Sequence, residues 1–269
     1  MKFIYKPKNN LEKFGVKVYP FTKSSNKAGD GELGIFFKDH KTSKLLKFGV
    51  RVYSALVENF SQTFFVGGMV RDLIIRKIIT DVDIATSATP EQIIGALKKR
   101  GIGYIDSHKK FGNIVAKQGS LEVEITTFRK DLSGENRYHK IQFIKTPKAD
   151  SQRRDFTVNS LYLSLKQANI LDFQKGLADL KNHQLKFIGN PKKRISQDPL
   201  RIIRALRFAL ILNFKLEKNA KQAIKTNLFL IKELTKTKIN KEINKINSPA
   251  KRKILKKVIN KPKLLDKYF

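Results

Sequence analysis

Residues 43–60 carry apolar side chains at Leu45, Leu46, Val50, Val52, Tyr53, Leu56 and Val57. That spacing predicts a helix. TFFVGG then reads as a short buried strand ended by glycine, and MVRDLIIRKI as a helix starting right after the glycines. DVDIAT alternates and predicts a second strand. TPEQIIGALKKRG predicts a helix with Thr89 as N-cap, Pro90 at the first helical position and Gly101 as the stop. GNIVAKQG, LEVEITTFR and KIQFIK read as strands. In LEVEITTF, Glu122 and Glu124 share one face, while Val123 and Ile125 share the other.

SQRRDFTVNSLYLSL opens polar and closes apolar. It predicts a helix with a charged start that runs into a strand, with ANILDF as a further strand. From Ser196 onward the three-to-four spacing dominates, in QDPLRIIRALRFALIL, AKQAIKTNLFLIKELT, INKEINKI and SPAKRKILKKVI. The chain therefore reads as α+β: a mixed head over 44–185 and an all-helical part over 186–269, with the boundary between Gln184 and Ser196. Residues 1–43 are basic, show little periodicity and read as an extension.

Composition adds the question of partners. The 269 residues are 41% hydrophobic, enough for a core. Lys and Arg number 56 against 23 Asp and Glu, a formal net charge of +33. Such a field attracts polyanions, nucleic acid first and an anionic membrane surface second. There is no cysteine, which excludes disulfides, zinc–thiolate sites and cysteine nucleophiles. No apolar run approaches the roughly 20 residues of a membrane-spanning helix, and the N-terminus lacks a secretory core. The expectation is a cytoplasmic protein without a membrane partner.

Against that basic background, Asp81 and Asp83 stand out. On a strand they point the same way, and two neighbouring carboxylates repel unless a cation lies between them. Hard oxygen donors of this kind suit Mg²⁺, which completes its shell with phosphate oxygens and water. A lone Asp-x-Asp can be a solvated strand face, and a lone Gly-Gly an ordinary tight turn. Together, Gly67-Gly68 before a helix and the acids after it suggest a triphosphate held by the turn and a metal held by the acids. Arg71, on the first turn of that helix, is a candidate for the same anion.

Two basic stretches extend the pattern. In RRDFTVN, Arg154 offers forked donors that fit phosphate, Asp155 is a candidate for a ribose hydroxyl or for organising the loop, and a surface ion-pair cluster is the plainer alternative. In QDPLRIIRALRF, Asp198, Arg201, Arg204 and Arg207 step by three, which predicts one stripe along a helix. Such a stripe is either a solvated face or a set of fixed groups for a base edge; an Asp there accepts from the exocyclic amino group of adenine or cytosine.

Gly-Gly, a spacer and Asp-Val-Asp-Ile resemble the nucleotidyltransferase superfamily that includes polymerase β. The ordered set FVGGMVRDLIIRK, TDVDIATSATPEQI, EITTFR, SQRRDFTVNSLY, DFQKGLADL and QDPLRIIRALRFALILNF resembles the class II tRNA nucleotidyltransferase and bacterial poly(A) polymerase family, over roughly Lys44 to Ile259. The resemblance implies a head with a five-stranded mixed sheet and a helical neck. It implies template-independent addition of C and A residues to an RNA 3′ end, foremost the CCA end of tRNA, from CTP and ATP. A two-metal Mg²⁺ site is implied, with Asp81 and Asp83 as ligands. A third catalytic carboxylate comes from a later strand; Glu124 is the candidate and Glu122 its competitor.

The same resemblance assigns Gly67, Gly68, Arg71, Arg154, Asp155 and Asn159 to the nucleotide. It assigns Asp198 and Arg201 to the base, with Arg204 and Arg207 in support. RNA is the expected partner; DNA is not. Three departures stand out. Gln197 replaces the family's usual acid, which puts the orientation of Arg201 in question. Ile74-Ile75-Arg76 lacks the family's glycine. The sequence ends soon after the neck, so a basic extension and lysine-rich helices are expected to take over RNA holding. A poly(A) polymerase is the alternative activity, and a basic RNA-binding module with a decayed site is the reading from a different class.

Overall fold

The computed structural model describes residues 40–60, 62–132, 141–167 and 169–269. Of the predicted extension, residues 1–39 lie outside the described residues, and 40–43 already belong to the first helix. In chain order the elements are α1 (His40–Val57), β1 (Thr63–Val66), α2 (Gly68–Ile74), β2 (Asp83–Thr86), α3 (Pro90–Lys99), β3 (Gly103–Ile105), β4 (Asn113–Gln118), β5 (Leu121–Thr127), β6 (Arg129–Asp131), β7 (Ile141–Phe143), α4 (Pro147–Ser151), β8 (Leu161–Ser164) and β9 (Asn169–Asp172). Then come α5 (Gly176–Lys181), β10 (Gln184–Leu185), α6 (Pro191–Gln197), α7 (Leu200–Leu212), β11 (Lys215–Leu216), α8 (Lys218–Asn227), α9 (Lys236–Asn244), α10 (Pro249–Asn260) and α11 (Leu265–Tyr268).

The chain divides into two compact units. The first runs to Arg153 and resumes over Asn159–Phe173; the second holds Arg154–Val158 and Gln174–Phe269. The crossing lies inside RRDFTVN, ahead of the boundary read from composition, because five residues of that loop pack with the later helices.

The first unit is a mixed sheet of order β3-β4-β5-β2-β1-β8-β9. It has seven strands where the resemblance implied five. β3 is too short to show alternation in sequence, and β9 pairs antiparallel with β8 at the other edge. One face is covered by helices: Tyr53 of α1 stacks on Phe65 of β1 with ring centroids 5.2 Å apart. The other face carries Phe64, Val66, Ala85, Phe128 and Tyr162, with Leu171 and Phe173 packed against them. α3 begins as read, with Thr89 and Gln92 closing a capping box that satisfies two otherwise orphaned N–H groups.

The stretch before β8 departs from expectation. Only α4 is helical; RRDF is a turn, and Thr157–Asn159 a single 3₁₀ turn. The helix ends because the main chain beyond it pairs elsewhere, with Thr157 N donating to the Lys186 carbonyl and Ile188 N to the Asp155 carbonyl, each at 3.0 Å, while Asp150 is held by side-chain bonds. Its carboxylate accepts from the Tyr162 hydroxyl at 2.7 Å and from Arg153 Nε at 2.7 Å.

The second unit is helical around a core that includes Phe156, Phe187, Ile195, Ile202, Ile203, Leu206, Ile243, Leu255 and Val258. It is not purely helical, since β10 and β11 form a short parallel pair. Among the described residues, no helix is long and apolar enough to cross a membrane.

Candidate functional site

The first unit places its acids through strand pairing. β2 runs parallel to β5 with Asp83 opposite Glu124 and Ile84 opposite Ile125. Parallel partners project to the same face about 4.8 Å apart, so Asp83 and Glu124 stand side by side. The face is fixed from behind: Val82 is buried, and a Cβ on Gly49 of α1 would lie 2.8 Å from its Cγ1. Gly49 thus admits Val82 toward α1 and turns Asp83 to the opposite face. Asp81 precedes the assigned strand and is exposed. The extended pairing nevertheless reaches back beyond Asp83, as Glu124 N donates to the Val82 carbonyl at 3.1 Å. Glu122 is exposed and pairs with Lys117 at 3.6 Å, opposite β4 rather than β2.

Gly67 caps α2 with φ 75° and ψ −141°, a region open essentially to glycine. Gly68 lies against Arg71: a Cβ there would come 3.3 Å from Nη2. Arg71 itself is buried at 4% exposure. It forms a forked pair with Asp72 at 2.9 and 2.8 Å, and its Nη1 donates to Asn159 Oδ1. The structure therefore brings Gly68, Arg71 and Asn159 together, with Arg71 held by protein groups. The helix stops early, at Ile74, where Arg76 takes a left-handed φ of 55°.

In the second unit the arginine stripe divides. Asp198 is not on α7; it follows α6 in extended geometry, and its carboxylate accepts from Leu200 N at 3.0 Å. Arg201 Nη1 donates to the carbonyl of Arg194 at 2.6 Å, and Arg194 Nη2 donates to the carbonyl of Arg154 at 2.6 Å. Arg194 thus ties together two residues of the expected nucleotide set. Gln197, in contrast, is exposed; a main-chain carbonyl at the end of α6 holds Arg201.

Arg204 Nε donates to Asp155 at 2.7 Å, and Arg207 pairs with Glu242 of α9 at 2.9 Å. Glu242 also receives Lys245 at 2.7 Å. Burial pushes the Asp155 carboxyl up, but the Arg204 charge, its hydrogen bonds and the Phe156 N–H outweigh that and hold it below the ordinary aspartate range. Arg204 is raised in turn, chiefly by Asp155. Glu242 is also lowered, its burial outweighed by Lys245 and Arg207. Asp155, Arg204, Arg207 and Glu242 form an ion-pair network that fastens the loop, α7 and α9 within this unit.

Sequence reasoning missed Asp150, Arg194 and Glu242. Asp150 and Glu242 are single acids with no motif spacing. Arg194 lies among lysines, and only its hydrogen bonds distinguish it. The donor set at β2 and β5 is hard oxygen, the kind Mg²⁺ selects. Among the described residues no three His, Asp or Glu side chains are gathered closely enough to hold an ion alone. The adjacent carboxylates of Asp83 and Glu124 are of the chemistry that suits Mg²⁺, whose remaining shell would come from phosphate oxygens and water.

A Gly-Gly turn leading to adjacent carboxylates on a mixed sheet defines a nucleotidyltransferase head of the polymerase β type. The poly(A) polymerase head domain family matches residues 63–186. The chain is 39% identical over 188 residues to a CCA-adding enzyme of Lactobacillus helveticus, covering 69% of this chain and 46% of that protein. It is 36% identical to the CCA-adding enzyme of Bacillus licheniformis over 69% of this chain and 46% of that one. Among solved structures, the Bacillus stearothermophilus CCA-adding enzyme in complex with CTP superposes with a TM-score of 0.68 at 30% identity, covering 78% of this chain and 51% of that chain. A tRNA nucleotidyltransferase complexed with a primer tRNA and an incoming ATP analog gives a TM-score of 0.63 at 28% identity, covering 81% and 60%. Residues 63–186 thus carry a poly(A) polymerase head domain, and the chain is similar to CCA-adding enzymes over 69% of its length. It spans about half the length of the curated relatives it matches.

Proposed function

We propose that this chain is a template-independent RNA nucleotidyltransferase that adds C and A residues to the 3′ end of tRNA. The observation that carries this reading is the in-register pairing of Asp83 with Glu124 just after the Gly-Gly turn. The terminal ribose hydroxyl oxygen forms a bond to the α-phosphorus of CTP or ATP. The bond from that phosphorus to the bridging oxygen breaks, pyrophosphate leaves, and the hydroxyl proton passes to solvent or base. Mg²⁺, when bound at Asp81 and Asp83, supplies Lewis-acid stabilisation of the attacking and leaving oxygens.

The protein's own groups divide the remaining work. Glu124 places a second carboxylate beside Asp83 and fixes where positive charge collects. Arg154 is a forked donor for the triphosphate. Asp198 and Arg201 present an acceptor and donors of the kind that read a base edge. Asp155, Arg204 and Arg207 hold that set in position through their own ion pairs. Arg71 and Asn159 act behind the Gly-Gly turn, as positioning residues. A tRNA-end enzyme of this kind works in the cytoplasm.

The matched head domain is described by poly(A) polymerase, so A-tailing of RNA is the second reading. Nucleotide incorporation separates the two. On tRNA transcripts ending before CCA, after C and after CC, with each NTP singly and all together, addition that halts at CCA is expected. Unlimited A-tails would move the assignment to poly(A) polymerase. RNA binding with no incorporation would move it to a non-catalytic RNA-binding protein.

A further inference from the structure

The C-terminal helices of the second unit enclose a groove of about 700 Å³ between α9, α10 and the turns that follow. Its walls carry Arg252, Lys253, Lys256, Lys257, Lys261 and Lys267, with no acidic side chain among the lining residues. Four of the five cations of α10 line the groove, Arg252, Lys253, Lys256 and Lys257, at positions i, i+1, i+4 and i+5, one face of a helix. At physiological salt the Debye length is about 8 Å, so neighbouring ammonium groups on that face repel one another without full screening. Only a polyanion relieves all of that repulsion at once.

The single acidic side chain of residues 249–269 is Asp266. It is turned away from this role: its carboxylate receives Lys225 at 2.7 Å and Lys221 at 3.2 Å, both on α8. Those bonds hold its pKa below the ordinary aspartate range, Lys225 contributing most. They also pin α11 to α8 and so set the far wall, where Lys267 and Tyr268 stand.

We propose that this groove is a sequence-independent binding site for an RNA phosphate backbone, with Tyr268 as a stacking platform for one unpaired base. The proposal rests on the RNA-directed function above, and it adds a site outside the matched head domain. Lysines supply point charges rather than forked donors, which suits phosphate positioning without base readout. A tyrosine face accepts any base. A membrane surface is the competing polyanion, but the groove has no apolar wedge. In α10, Leu255 and Val258 are buried and Ile254 and Ile259 half-buried, and among the described residues the large exposed apolar side chains lie elsewhere, at Ile78, Ile105, Phe111, Leu132, Phe143 and Phe229.

The test compares the full chain with a Lys256→Gln/Lys257→Gln double variant and with Tyr268→Ala. Dissociation constants are measured for a tRNA transcript and an unstructured oligouridylate across a salt series. Each lost phosphate contact should make the log–log salt dependence shallower by about 0.7–0.9, so roughly 1.5 for the double variant. Tyr268→Ala should weaken oligouridylate binding about 5–100-fold, the range of one stacked base, with an unchanged salt slope. Unchanged slopes in the double variant would overturn the proposal. So would charge-dependent capture by phosphatidylcholine–phosphatidylserine vesicles with no effect of the double variant on RNA. Incorporation by the parent chain is measured in parallel. Normal CCA addition with unchanged slopes sinks the groove and leaves the enzyme reading intact. Absent incorporation with a slope that falls as expected sinks the enzyme reading and leaves the groove.

Discussion

The side-chain oxygen of Asn159 accepts a hydrogen bond from Nη1 of Arg71, a residue 88 positions earlier in the chain. The bond joins the helix after the Gly-Gly turn to the 3₁₀ turn before β8. With Asp72 on its other edge, the buried guanidinium is paired on two sides. Asn159→Ala removes one acceptor of the buried guanidinium, at a cost of about 1–3 kcal/mol. Denaturant unfolding should show that loss in the midpoint, with the slope unchanged. An equal midpoint in parent and variant would show that the bond to Asn159 adds nothing to the stability of the fold.

Strand register separates the two glutamates of LEVEITTF. Glu124 lies opposite Asp83, and Glu122 opposite Lys117 on the other neighbouring strand. Loss of the carboxylate beside Asp83 should lower incorporation by about 100-fold or more in Glu124→Gln. Glu122→Gln should remain within about 2-fold of the parent, as for a surface pair. Comparable losses in single-turnover assays of both variants would refute the assignment.

Asp155 and Arg204 make stability depend on acid. The folded carboxyl titrates below its unfolded value, so its stabilisation is complete above that value, about 3.9. It is lost as pH falls through the lower folded value. Arg204 is partly exposed, so Asp155→Asn should cost about 1–3 kcal/mol near neutrality, less than a fully buried pair. The gap between variant and parent should close in strong acid. A gap of constant size across the titration would show that packing, not charge, is responsible.

Arg194 reaches Arg154 through its side chain and Arg201 through its carbonyl. Removing the guanidinium in Arg194→Met leaves the carbonyl in place but removes one tie to the loop that bears Arg154. The KM for CTP and ATP should rise about 10-fold, the size of one lost hydrogen bond to a charged group, with a smaller change in kcat. Arg194→Lys should restore part of it. Because Gln197 is exposed and Arg201 is held elsewhere, Gln197→Glu should leave the ratio of CTP to ATP use within about 2-fold. A large shift in that ratio would return base selection to position 197.

Much of this protein is determined locally. The helical spacing of α1, α3, α7 and α10, the Thr89 cap, the alternation of β5 and the Gly-Gly turn all depend on residues within a few positions of one another. So does the order of the motifs, which is why the family resemblance was legible from the chain alone. Residues 1–43 were legible only as basic, and 1–39 lie outside the described residues. What tertiary structure decided is pairing across distance. Only the parallel register of β2 and β5 separates Glu124 from Glu122. Only the assembled units show Arg71 held by Asn159, or Asp155 bound to Arg204 instead of standing open. The sheet's short edge strand β3 and the loss of a helix in SQRRDF have the same origin. Short strands take their pairing from neighbours, and the main chain at Asp155 and Thr157 pairs with Ile188 and Lys186, where local propensity alone favoured a helical turn.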